Sequence, residues 1–209
     1  MDRTINRWNV NCFMEMVCMV GFDAKKYGTI VADLLHPTKL APLDSGRPNV
    51  SVRALLQGLS DNPDFLGKPI RDKQMACACI SGLWLYHDFL EESHAISQEI
   101  SSSAGSYWHG ILHRREPDFP NSGYWFHRVG NFATFEELKQ ATAEILGDSP
   151  PDWARFMIGE KRWDPFAFID LCERALGGNV NAIPICQRIA QKEWELLFDY
   201  CYRAAVGYE

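Results

Sequence analysis

Residues 84–94, "WLYHDFLEESH", and residues 109–119, "HGILHRREPDF", decide the fold. Both place ionisable side chains in segments whose apolar residues recur at spacings of three and four, the period of a helix rather than of a strand. Working outward from the first, Ala76, Ile80, Leu83, Trp84, His87, Leu90, Glu91 and His94 share one stripe. The spacing predicts a single helix from Gln74 to about Glu99. The polar "SSSAG" interrupts the pattern and "SYWHGILHRRE" resumes it, until Pro117 and the following "DFPNSG" stop it. So short a connection predicts an antiparallel helical hairpin.

The rest of the chain reads the same way. Thr134 with Glu137 makes a capping box for a helix ending at Gly147, and Asp164 before Pro165 starts another that ends at Gly177 and Gly178. A closing helix from about Ala182 to Val206 places Ile185, Ile189, Leu196, Leu197, Tyr200 and Cys201 near one side. No run of alternating strand residues and no G-x-G-x-x-G is present. The expected architecture is one all-α domain over 1–209: a helical bundle at 73–207 built around the hairpin, preceded by an irregular segment, 1–72, that wraps it. In that segment Cys12–Val20, Gly28–His36 and Val52–Leu59 are short helical candidates, the last with Ser51 as N-cap. Between them "HPTKLAPLDSGRPNV" and "SDNPDFLGKPIRD" read as loops.

Composition narrows the function classes. Of the 209 residues 46% are hydrophobic, enough for a single core, and the net charge of −6 leaves no basic face for nucleic acid. Seven cysteines without a C-x-x-C pair or zinc-finger spacing suit reduced thiols in a cytoplasmic protein. Cys77 and Cys79, two apart on one helix, suit neither a disulfide nor a chelate and read as packing. The apolar "NCFMEMVCMVGF" is interrupted by Asn11 and Glu15 and lacks a small-residue cleavage site, so it is not read as a signal peptide. No other run approaches the roughly 18 apolar residues of a membrane span. The expected partner is a small anionic molecule, with no nucleic acid and no membrane; oligomeric state is not legible.

Five of the six histidines fall between positions 87 and 127. His87, Glu91 and His94 stand at i, i+4 and i+7, and His109, His113 and Glu116 repeat that spacing on the second helix. At ~100° per residue each trio spans about 40° to 60° of its helix, so two opposed faces would converge four imidazoles and two carboxylates. Such groups suit zinc, iron, manganese or nickel, and bundle metal sites are built from inward-facing Glu and His. His87, His94, His109 and His113 are therefore the candidate metal ligands, with Glu91 or Glu116 as a further ligand or as general base to a bound water. There is no H-E-x-x-H zincin motif.

Two other readings stay open. Histidines on an apolar stripe also close buried polar networks with no metal, which would make this a scaffold or interaction protein. An active site without metal would draw on Arg114, Arg115 and Arg128, whose planar forks bind carboxylate or phosphate, although paired surface residues are the plainer account of any one arginine. Tyr124 and Trp108 are candidate ligand-stacking residues, and as helix-face aromatics they equally suit the core. Asp88 after His87 makes an HD pair similar to that of the HD phosphohydrolases, for which His36 and Asp170 would have to complete the set. No nucleophilic triad or G-x-S-x-G turn is present.

The stretch "HDFLEESH" followed by "GSYWHGILHRREPDFPNSGYWFHRVG" resembles a group of uncharacterised microbial proteins that carry W-H-x-x-x-H-R-R-E-x-D-x-x-N-x-x-Y-W. The matching positions are Trp108, His109, His113, Arg114, Arg115, Glu116, Asp118, Asn121, Tyr124 and Trp125. "WDPFAFIDLCE" and "EWELLFDYCYRAAVG" are similar too, so the likeness covers roughly 74–207 and implies a single domain; that group has no assigned activity. His127 stands where the group has arginine. The site expected is a metal-supported, His/Glu-rich pocket in the hairpin, closed by the C-terminal helix, with the arginines orienting an anion.

Overall fold

The computed structural model describes residues 22–40 and 42–208, and among these it is all-α, with ten helices and no strand. The helices α1 (Thr29–Leu34) and α2 (Arg53–Gln57) lie in the first third. The centre is α3 (Lys73–Tyr86), α4 (Leu90–Ser97), α5 (Ser103–Arg115) and α6 (Phe119–Val129). The last part holds α7 (Phe135–Leu146), a short α8 (Phe156–Gly159), α9 (Pro165–Leu176) and the long α10 (Ile183–Val206). The helical candidate at Cys12–Val20 lies outside the described residues.

The largest correction falls on residues 84–94. The single helix expected over 74–99 is two helices, because the chain turns at Asp88, whose φ is +66°. The Asp88 N–H donates to Leu85 O (3.1 Å) and the Phe89 N–H reaches back to Trp84 O (3.0 Å), the paired bonds of a Schellman stop. The Phe89 ring packs edge-on against Trp84, with centroids 5.1 Å apart, supplying the apolar contact that accompanies such a stop. Glycine normally takes this left-handed position, and aspartate is among the few other residues that tolerate it. Here the carboxylate is held on both sides: Arg115 Nη2 donates to Oδ1 (2.6 Å) and Lys39 Nζ to Oδ2 (3.0 Å).

A second correction is α6. "DFPNSG" does not only stop the preceding helix; it opens another, which Asp118 caps by accepting from the Asn121 N–H, with Pro120 in its first turn. It lies close against α5 because residue 110 is glycine: a Cβ there would come within 2.8 Å of the Phe126 ring. Ser122 Oγ donates to Gly110 O at 2.7 Å across the same crossing.

Caps elsewhere differ in detail. Thr134 precedes α7 but makes no side-chain cap, its own backbone being helical at φ −85°, ψ −4°. Asn49, rather than Ser51, caps the turn before α2 by accepting from the Ser51 N–H. Asp164 caps α9 as expected, accepting from the Phe166 N–H. Cys79 is buried, whereas Cys77 is exposed.

The core forms around α10, which packs on α3, α7 and α9. Trp194 stacks on Phe198, and its indole N–H donates to Gly82 O (2.9 Å), so a large apolar ring is buried with its one polar group satisfied. The 1–72 segment meets the core through Asn49 N–H to His87 O (3.0 Å) and Arg71 N–H to Ala205 O (2.8 Å). No helix among the described residues is long and apolar enough to cross a membrane.

Candidate metal centre

Helix α4 brings one residue to the cluster and α5 brings two. His94, His109 and His113 each offer a ring nitrogen, and these atoms lie within 4.8 Å of one another. Ring centroids are 4.4 Å apart for His94 and His109, 4.8 Å for His109 and His113, and 5.5 Å for His94 and His113. His109 and His113 are buried, and His94 is half-buried. Four residues of helix turn through about 40°, which keeps His109 and His113 in one column, and the α4–α5 turn folds His94 onto it.

The outer nitrogens are already committed. Ser97 Oγ lies 3.3 Å from His94 O and 3.1 Å from His109 Nδ1, a geometry in which the hydroxyl can donate to the carbonyl while the ring N–H donates to the hydroxyl. That leaves the His109 Nε2 lone pair free. Glu116 Oε2 accepts from His113 Nδ1 at 2.9 Å, which fixes the same tautomer on His113. Serine and carboxylate partners on the far nitrogen are the usual support of ligating imidazoles. Burial, then the neighbouring His94 and His113, hold the His109 pKa down at about 3. Burial also lowers the His113 pKa, against the pull of Glu116. Both rings are neutral at pH 7, the form that can bind a metal.

Two side chains of α6 cover the cluster. Trp125 stacks on His109 with centroids 3.9 Å apart and planes 29° apart, and the Asn121 amide nitrogen lies 3.1 Å from His113 Nε2. The sequence assigned this closing role to the C-terminal helix; it marked Trp125 as an aromatic of the pocket and Asn121 as a motif position, without placing either over the histidines. The signal was present in Asp118 and Pro120 as a helix start and in the spacing of Phe119, Ser122, Phe126 and Val129.

The other expected site residues are elsewhere. His87 is not in the cluster: the turn at Asp88 separates it from His94, and it lies against Asn49, whose amide nitrogen is 3.4 Å from Nδ1. Burial, and then Lys39, push its pKa down to about 4. Glu91 is exposed on α4, and Glu116 reaches the cluster only from behind His113. Trp108 is wholly buried core, and Tyr124 is exposed, edge-on to Trp125. Arg114 is buried and paired with Glu193 through both terminal nitrogens, with its guanidinium 4.5 Å from the Phe168 ring centre. Arg115 is buried too: besides Asp88 it donates to Leu85 O (2.7 Å), Asp44 O (3.1 Å) and Ser45 O (3.3 Å). Arg128 alone of the three is exposed, 5.3 Å from the Trp125 ring centre. The His87-Asp88 pair is therefore part of the turn, with both Asp88 oxygens taken.

Compared with protein-family models, with curated proteins and with solved structures, the chain finds no match.

Proposed function

We propose that this is a metal-dependent protein in which His94, His109 and His113 hold one divalent transition-metal ion and a fourth position takes water or a small anionic ligand. The observation that carries the reading is the convergence of three ring nitrogens, with Ser97 and Glu116 at hydrogen-bond distance from Nδ1 of two of the rings. Tetrahedral zinc with ~2.05 Å bonds needs ligand atoms about 3.3 Å apart, which small side-chain rotations reach from the present spacing. Three imidazoles and no carboxylate in the ligand set favour zinc, with iron or nickel next, over manganese. Half-buried His94 marks the side from which a fourth ligand enters. Zinc on three histidines supplies a bound water ionised near neutrality, the nucleophile of hydration and hydrolysis. With Arg114 and Arg115 committed to Glu193 and Asp88, an anion would meet Arg128 at the rim, beside Trp125.

The test is metal content by mass spectrometry after expression with zinc. About one ion per chain is expected in the wild type and in His87→Ala, and essentially none in His109→Ala and His113→Ala. Equal metal in all four proteins defeats the proposal.

One observation favours a second reading, a closed polar network with no ion. The Asn121 amide sits where it can donate to His113 Nε2. Under that reading Asn121→Ala loses stability and no variant changes its metal content. Under the first, Asn121→Ala keeps its metal.

A further inference from the structure

Asn121, Trp125 and Arg128 stand at i, i+4 and i+7 on α6, so an amide, an indole and a guanidinium share one stripe of that helix. The stripe is anchored on both sides of its inner end. Asp118 accepts from the Asn121 backbone N–H at 3.3 Å, and Ser122 Oγ donates to Gly110 O at 2.7 Å. Over the cluster, the indole stacks on His109 with centroids 3.9 Å apart. The Asn121 amide nitrogen is 3.1 Å from His113 Nε2 and 3.3 Å from Nδ1. Because Nδ1 faces Glu116 Oε2 at 2.9 Å, Nε2 is the nitrogen whose lone pair the amide can meet. Asn121, like His94, is half-buried, so the amide stands at the margin of the cluster that solvent reaches.

An ion on His113 Nε2 claims that lone pair, and the amide then has two N–H donors to give elsewhere. With a ~2.05 Å bond the ion stands at most about 5.2 Å from the amide nitrogen, so an oxygen bound to it on that side comes within hydrogen-bonding reach once the Asn121 side chain turns. Arg128, exposed and 5.3 Å from the Trp125 ring centre, adds a positive charge further along the stripe. A donor beside the ion and a cation at the rim select an acceptor that carries negative charge. We infer that Asn121 is the positioning residue for the fourth ligand of the metal, and that this ligand is a small carboxylate. One carboxylate oxygen binds the ion and the other accepts from the Asn121 amide. The inference rests on the three-histidine reading and goes beyond it by assigning a residue to the ligand rather than to the ion.

The full chain loaded with cobalt(II) tests this, because its visible absorption follows the fourth ligand. Cobalt content is measured first, and acetate and imidazole are then titrated separately. Both probes fill one position on the ion, but acetate leaves an oxygen that accepts a hydrogen bond and imidazole leaves only an N–H. Asn121→Leu keeps the bulk of the side chain without its donors, and Asn121→Ala removes both. Both variants are expected to keep about one cobalt per chain and an unchanged affinity for imidazole. Acetate should bind them about ten-fold more weakly or worse, the loss of a hydrogen bond to a charged group being worth about that factor. No cobalt in the wild type defeats the three-histidine reading itself. With cobalt bound, three results overturn the present inference and leave the metal centre standing: acetate affinity unchanged in both variants, an equal loss for acetate and imidazole, or no response of the wild type to acetate at about 100 mM. Loss of cobalt from either variant overturns it as well, since Asn121 would then support the histidines and not the ligand.

Discussion

Helix α5 carries two sets of buried polar side chains side by side, and they are completed differently. Arg114 and Arg115 are closed off: one is clasped by Glu193, the other gives hydrogen bonds to Asp88 and to three backbone carbonyls. His109 and His113, on the same helix, each have a partner at Nδ1, Ser97 and Glu116, and gather with His94 so that one ring nitrogen of each lies within 4.8 Å of the others. A buried network that exists for the fold finishes its hydrogen bonds. Three ring nitrogens gathered in one place, with the Asn121 amide as the donor beside His113, are instead an arrangement that a metal ion can use.

Breaking the closed set should cost most. Glu193→Ala leaves the Arg114 charge buried and unpaired, and a loss of about 3 to 5 kcal/mol in urea unfolding is expected. A loss below ~1 kcal/mol would show that the pair is dispensable. On the open set, Glu116→Gln should leave the fold intact and weaken zinc by about 10- to 100-fold, read by competition with a chelator, because the carboxylate fixes the His113 ring from behind. Unchanged affinity would remove Glu116 from the site.

The smallest expected effect is that of pH on the metal-free protein. His87 and His109 have folded pKa values of about 4 and 3, below the ordinary histidine value near 6.5. Between these limits the unfolded chain binds the extra protons. The stability from burying the neutral rings is therefore complete above about pH 6.5 and is lost as pH falls through the folded values. The unfolding free energy from urea titrations should decline from pH 6.5 to 5, by on the order of 1 kcal/mol per pH unit, with the midpoint falling alongside, and His87→Asn should flatten part of the slope. A midpoint constant over that range contradicts the assignment of both rings as neutral and buried.

Periodicity made the all-α class, the hairpin and the helices α9 and α10 legible, since each combines a 3.6-residue pattern with an Asp or Gly boundary. It paired His109 with His113 correctly because both lie on one uninterrupted helix. It failed at His87 because the apolar stripe runs straight through Asp88, and a left-handed aspartate leaves no signal of the kind glycine leaves. Asp88 holds that conformation through Arg115 and Lys39, contacts 27 and 49 residues away in sequence, beyond the reach of a local pattern. The arginines were legible as a chemical type and not in their role, because Glu193 and the 44–45 carbonyls that occupy them are remote in sequence.

The difference in span between the two sets also orders their assembly. His94 and His109 are joined by a loop of about 15 residues, and Trp125 follows within the same stretch, whereas Arg114 and Glu193 are 79 residues apart. Each doubling of a loop adds roughly 0.6 kcal/mol to the entropy of closing it, which puts the histidine contact about 1.4 kcal/mol ahead of the arginine clasp. Chain entropy thus lets the imidazoles meet while the C-terminal helix is still searching for its place, and an ion captured at that stage would act as a folding nucleus for the rest.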